Sequence, residues 1–241
     1  MVRFCLPLLF LITSTANADE PASLPTGYKL LYSQTFDTPE SLKDLVVRDP
    51  KVWKHAKTDG GGSLELAYKN YKDPSPAKYR SPFHIALIAD KVFTDFAMDL
   101  EMQSTIAPYG HQDLCLFFGY ENPEHFYYAH MAVKTDDHAH NVFIVNDAPR
   151  LKISKETTPG ITWGVKTWHK VRLVREGSTG KVEVYFDDMT KPIMRAEDKT
   201  FSKGWVGFGS FDDVGLIRNV KIYGPSMEEK RNPFLKAISG N

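Results

Sequence analysis

From Tyr28 to Gly224 the chain repeats with period two, in apolar–polar runs of strand length, and helical periodicity is almost absent. YKLLYSQTF, HIALIAD, DFAMDLEMQS, DLCLFFGY, FYYAHMAV, HNVFIVND, WHKVRLVRE, KVEVYFDD, KPIMRAED, GWVGFGSF and GLIRNVKIYG each read as a strand, as does the segment fed by the glycine turn of GGGSLELAY. Gly, Pro, Asn or Asp breaks the pattern at intervals of roughly 8–12 residues, the mark of a sandwich or barrel rather than of βαβ units. PESLKDL is the one helical candidate, a turn or two with Thr38 before Pro39. The sequence therefore predicts an all-β fold, a two-sheet antiparallel jelly-roll sandwich in one domain. Residues 19–224 form the sandwich, and 225–241, polar and broken by Pro233, form a mobile tail or short helix.

Residues 1–18 stand outside that pattern. Arg3, an apolar run from Phe4 to Thr13 and the small residues Ala16-Asn17-Ala18 predict a signal peptide cleaved before Asp19. The run is too short to span a bilayer, and no later stretch is long enough. The expected location is periplasmic or extracellular. Cys5 would leave with the signal, so Cys115, in the apolar run DLCLFF, would remain as a single buried, inert thiol. One thiol builds no disulfide and no sulfur-rich zinc site. Lys+Arg and Asp+Glu number 30 each, and such a balance argues against nucleic acid as a partner.

The C-terminal third, WHKVRLVREGSTGKVEVYFDD with GWVGFGSFDDVGLIRNVKIYG, resembles the concanavalin A-like lectin/glucanase superfamily in its laminin-G-like form. Gly207 and Gly209, alternating with Val206 and Phe208, suit closely approaching inner strands. The middle of the chain resembles secreted planctomycete-type sandwiches related to the 3-keto-disaccharide hydrolase, glycosidase family 16-like group. The likeness covers roughly residues 30–224. It implies carbohydrate, an oligo- or polysaccharide, as partner, and a secreted protein that binds a glycan on the concave sheet face. It further implies cleavage, hydrolase-like or lyase-like, with a non-catalytic lectin or adhesion module as the alternative. The Glu-x-Asp-x-x-Glu strand of family 16 glucanases is absent; Asp99 and Glu101 share one face with no third carboxylate.

Polar residues concentrate between His111 and His140, where five of the eight histidines fall. The candidate catalytic residues are His111, His130, His138 and Tyr128; the candidate substrate-binding residues are Arg80, Asp113, Asp137, His140 and Arg150. Imidazoles with Asp113 or Asp137 suit a divalent metal. On the lyase pattern the resemblance implies, a Tyr/His pair removes a sugar proton while Arg80 or Arg150 neutralises a uronate. The sequence identifies no cofactor with certainty; a structural Ca²⁺ at the aspartate pairs 187–188 or 212–213, or another divalent ion, is the candidate, with turn chemistry as their plainer role. His55, His84, His125 and His169 read as structural.

Hairpin register decides whether the histidines meet. A four-residue loop, Lys134–Asp137, puts Met131 opposite His140 and separates His130 from both His138 and His140. A five-residue loop, Val133–Asp137, puts His130 opposite His140 with all three on one face. The sequence leaves both open.

Overall fold

The computed structural model describes residues 24–68 and 78–238, so the signal-peptide expectation and Cys5 lie outside the described residues. The architecture is the expected all-β, two-sheet antiparallel sandwich. The first sheet runs Ser154–Thr157, Met194–Glu197, Lys181–Phe186, His169–Glu176, Phe96–Ser104, Gly215–Gly224, Gly61–Leu66, Trp53–Thr58, and Lys29–Gln34 also pairs with Gly215–Gly224. The second runs Leu151–Lys152, Asn141–Asn146, His125–Ala132, Asp113–Asn122, Gly204–Ser210, His84–Phe93, Leu45–Val47, Lys236–Ala237, with Glu228–Glu229 also on His84–Phe93. PESLKD forms a 3₁₀ helix, Pro39–Asp44, preceded by Thr38 without a side-chain cap. None of the described helices is long and apolar enough to cross a membrane.

Strand alternation sends two different sets of side chains to the two faces of the second sheet. Tyr127, Ala129 and Met131 join Leu114, Leu116, Phe118, Val206 and Phe208 in the core between the sheets. Their neighbours Phe126 and Tyr128 join Cys115, Phe117, Phe143 and Trp205 in a second apolar layer on the outer face. That layer is buried as well, with Cys115, Phe117, Phe126 and Tyr128 fully so. Each aromatic taken from water there contributes about 1.5–3 kcal/mol.

The segment after Pro225 helps to cover it. In place of the expected tail or short helix, Glu228–Glu229 pairs with Lys91–Val92 and Lys236–Ala237 with Val46–Val47. Leu235 packs on the outer layer, and the Trp205 indole N–H donates to the Lys230 carbonyl at 3.0 Å.

Two further devices hold the sandwich. Gly207 and Gly209 lie on the central strand Gly204–Ser210, where an added Cβ would stand 1.9 Å from the Ala86 carbonyl oxygen and 1.8 Å from that of His84. The neighbouring strand thus approaches too closely for any side chain. Arg175 is buried, its guanidinium donating to the carbonyls of Gly180 (2.7 Å), Asp198 (3.0 Å) and Phe201 (2.9 Å) and lying over the Tyr127 ring. The Tyr127 hydroxyl donates to Asp198 and accepts from Phe201 N–H, so the same residues fasten the 198–201 turn.

Candidate functional site

At one end of the second sheet Asp113, Ala132, Ser210 and His84 lie side by side, through the pairs Asp113–Ala132, Ser210–His84 and Gly209–Cys115. Five of the nine candidate residues meet here. Asp113 and Cys115 sit two apart on one strand, on one face, and His130 stands opposite Cys115 on the next. His130 Nε2 is 3.1 Å from Asp113 Oδ2, with both side chains buried. That is an ion-pair distance, although the ring nitrogen is not aligned with the carboxylate as a regular hydrogen bond requires. The Arg150 guanidinium donates to the Tyr128 hydroxyl at 3.2 Å.

Phe211 gathers the rest. Its ring stacks on His130 at 6.1 Å, while Arg150 lies 4.5 Å and Arg80 5.4 Å from the ring centre. The two guanidinium carbons are therefore no more than about 10 Å apart. Arg80 is exposed, Arg150 half-buried and Phe211 buried, so the cations form a rim above an aromatic and ionic floor. Tyr109, 38 % exposed, joins the same end by donating its hydroxyl to Asp213 at 2.8 Å.

The remaining four candidates lie elsewhere. His130 pairs with Asn141, which is the register of the four-residue loop, although the connection itself is longer, 133–140. His140 takes φ 50°, leaves the strand ladder and accepts a hydrogen bond from Ala132 N–H at Nδ1, with Nε2 2.9 Å from the Thr158 hydroxyl. His138 is exposed; its contribution to His130 is a backbone carbonyl, 3.1 Å from Nδ1. The three-imidazole site of the other register does not form. Asp137 is on the surface with Lys152 at 2.7 Å, beside an open polar recess of about 330 Å³ that also takes in Thr135, Asn141 and Ser154. His111 is exposed in the turn before Asp113.

The other polar groups have structural partners. Asp187 holds His169 Nδ1 and Lys170 N–H, Asp188 caps Thr190, and Asp213 accepts from Tyr109 and Asp113 N–H. These contacts are turn chemistry. His55 and His125 likewise bond Phe36 O and Asp147. Asp99 and Glu101 are tied to Arg172 and Arg218 at 2.5 and 2.7 Å.

Protonation follows from this packing. Burial pushes the Tyr128 phenol far above its ordinary value, against the pull of Arg150, so it is a neutral hydroxyl. Burial also raises the Cys115 thiol, reinforced by the charge of Asp113. For Asp113 burial works upward, but the charge and side-chain contact of His130, with hydrogen bonds from Phe211 N–H and the Ser210 hydroxyl, outweigh it and hold the carboxyl below its usual range.

His140 gives a testable acid limb. Burial, then the charge of His130, lowers its imidazole to about 4. The unfolded chain, at the ordinary value near 6.5, binds the proton first as pH falls, so this contribution is complete above about pH 6.5 and is lost toward pH 4. The loss over that window is about 3 kcal/mol. Urea denaturation at pH 7 and pH 4.5 should show a smaller difference for His140→Gln than for wild type. Equal differences would mean that other groups carry the acid limb.

No protein-family model matches the chain, and no curated protein matches its sequence. Solved structures do match in shape. The carbohydrate-binding module CBM66 from Bacillus subtilis aligns at TM-score 0.53 and 17 % identity, covering 75 % of this chain and 96 % of that one. Peanut lectin aligns at 0.51 and 16 %, covering 81 % and 97 %. Domain 4 of AbnA, a GH43 extracellular arabinanase from Geobacillus stearothermophilus solved with arabinotriose, aligns at 0.50 and 12 %, covering 86 % and 96 %. The fold is a lectin-like jelly roll. At these identities the likeness extends to the fold and carries no site residue across.

Two participants in the site had little signal in the sequence. Phe211 reads as one more core aromatic in GSFDD, and only the fold puts two arginines on it. Ser210 reads only as part of the strand GWVGFGSF, yet its hydroxyl is 2.9 Å from Asp113 Oδ1. Cys115 read as inert packing, and it lies within the Asp113–His130 cluster.

Proposed function

We propose that this protein binds carbohydrate without cutting it, at the Phe211 end of the second sheet, and that its ligand is an acidic glycan. The observation that carries the reading is the pair of arginines over one buried ring. A guanidinium stays charged at any working pH, and its planar fork matches a carboxylate with two parallel hydrogen bonds. Stacking on Phe211 fixes both forks and lowers the entropy a ligand must remove. The half-exposed Tyr109 offers a face for a sugar ring at the same end. The similar structures, a carbohydrate-binding module, a lectin and an arabinanase domain with bound arabinotriose, support the ligand class.

Cleavage has less behind it. The groups that would move protons, Tyr128 and His130, are buried beneath Phe211 and Arg150, and Tyr128 is held neutral. We further propose that the protein works in the periplasm or outside the cell, as residues 1–18 suggest.

Glycan-array binding tests this reading, run beside an assay for released sugar or unsaturated uronate. Wild type should retain uronate-bearing glycans over neutral ones, more weakly as salt rises. Arg80→Ala removes an exposed side chain with little structural cost and should weaken binding about tenfold, the loss of one charge-assisted hydrogen bond. Unchanged binding in both Arg80→Ala and Arg150→Ala would move the site elsewhere. Turnover that disappears in His130→Ala would restore the enzyme.

A further inference from the structure

Beneath the arginine rim lies a set of donors that carbohydrate binding does not use. Asp113, Cys115 and His130 place a carboxylate oxygen, a thiol sulfur and an imidazole nitrogen within 4.8 Å of one another, all buried. The three residue types are those that zinc takes as ligands.

The hydrogen bonds around them leave one opening. His130 Nδ1 lies 3.1 Å from the His138 carbonyl oxygen, which only accepts, so Nδ1 carries its hydrogen. Nε2 is then the ring atom turned toward the cluster. It faces Asp113 Oδ2 at 3.1 Å, with the side chain only 6 % exposed. Asp113 Oδ1 is held in the turn by the Ser210 hydroxyl, Phe211 N–H and, at 3.8 Å, the Cys115 thiol, while Oδ2 faces His130.

We propose that Asp113 Oδ2, Cys115 Sγ and His130 Nε2 form a binding site for one zinc ion. The donor set suits this ion: thiolate selects for soft or borderline metals, and imidazole and carboxylate are its usual companions. Zn–N and Zn–O bonds of about 2.0–2.1 Å and a Zn–S bond of about 2.3 Å place tetrahedral ligand atoms about 3.5 Å apart. Atoms already within 4.8 Å reach that spacing by side-chain rotation. The His138 carbonyl bond to Nδ1 is the second-shell contact that ligating histidines ordinarily make, and it orients Nε2 inward. Entry of Zn²⁺ displaces the Cys115 thiol proton to solvent, since sulfur binds the ion as thiolate and the imidazole binds through an unprotonated Nε2, while the carboxylate stays ionised. The Phe211 ring, stacked on His130, lies beside the site, so the metal and the glycan rim share one turn.

The test is calorimetric titration of the metal-stripped protein with Zn²⁺ at neutral pH, in buffers of different ionisation enthalpy. One ion per chain with release of at least one proton, that of the thiol, is expected. Co²⁺ loaded in its place should give a thiolate-to-metal charge-transfer band, which Cys115→Ser abolishes. Cys115→Ser and His130→Gln should each weaken Zn²⁺ binding by more than the 10–100-fold that loss of an outer-shell partner costs. Should His130→Gln fail to fold, Cys115→Ser alone decides, since it replaces one buried atom. Arg80→Ala should bind Zn²⁺ as wild type does, which separates failure of this site from failure of the glycan reading. No binding, or equal binding by wild type and Cys115→Ser, would overturn the proposal.

Discussion

Replacing Arg175 with methionine should lower stability by about 4 kcal/mol, within the range for leaving buried polar groups without partners. Methionine fills most of the volume, so the effect isolates the lost donors rather than a cavity. Three carbonyls, those of Gly180, Asp198 and Phe201, lose the fork that joins them, and the Tyr127 ring loses the cation above it. Arg175→Lys keeps the charge but brings a compact ammonium in place of a planar fork, and should recover less than half. Urea denaturation read by fluorescence and by circular dichroism gives both values. A loss below about 1 kcal/mol in Arg175→Met would mean that Tyr127 and Asp198 hold the 198–201 turn by themselves.

Gly209→Ala should cost about 3 kcal/mol, at the upper end of what an overpacked core loses. The new Cβ would stand 1.8 Å from the His84 carbonyl oxygen, and no rotamer can relieve a clash made by Cβ itself. Relief requires the His84–Phe93 strand to move away, which breaks the ladder pairs at Ile85 and His84. Gly110 is the control. Nothing lies within 4 Å of its added Cβ, so Gly110→Ala should stay within about 0.5 kcal/mol of wild type. A Gly209→Ala protein as stable as Gly110→Ala would show that the strand spacing is loose.

Much of this architecture was legible from residues alone, because period-two alternation is a direct image of a pleated strand. DLCLFFGY, FYYAHMAV and HNVFIVND appear close to where they were expected. Short strands were harder: Leu45–Val47 and Leu151–Lys152 are too brief to show a period. The segment after Pro225 misled because its polar residues flank the few that matter, Leu235 and the buried Ile238. At the site, Asp113 and His130 stood out as polar residues inside apolar strands, and they do meet. The hairpin was undecidable from the chain because both loops suit TDD. Loop contacts chose between them: Asp136 accepts from His138 N–H, Asn141 donates to the Asp136 and Ala139 carbonyls, and His140 adopts positive φ. Arg175 could not be picked out, since an arginine near a strand end ordinarily reaches water.

The pairing of Lys236–Ala237 with Val46–Val47 joins positions roughly 190 residues apart. Contacts of that span form only after the entropy of closing a very long loop has been overcome, which makes assembly slow. Until then the edge at Leu45–Val47 is open, and its backbone groups are a template for any extended strand that drifts past. This long-range pairing is therefore also a guard against joining a neighbour during folding, and it operates late.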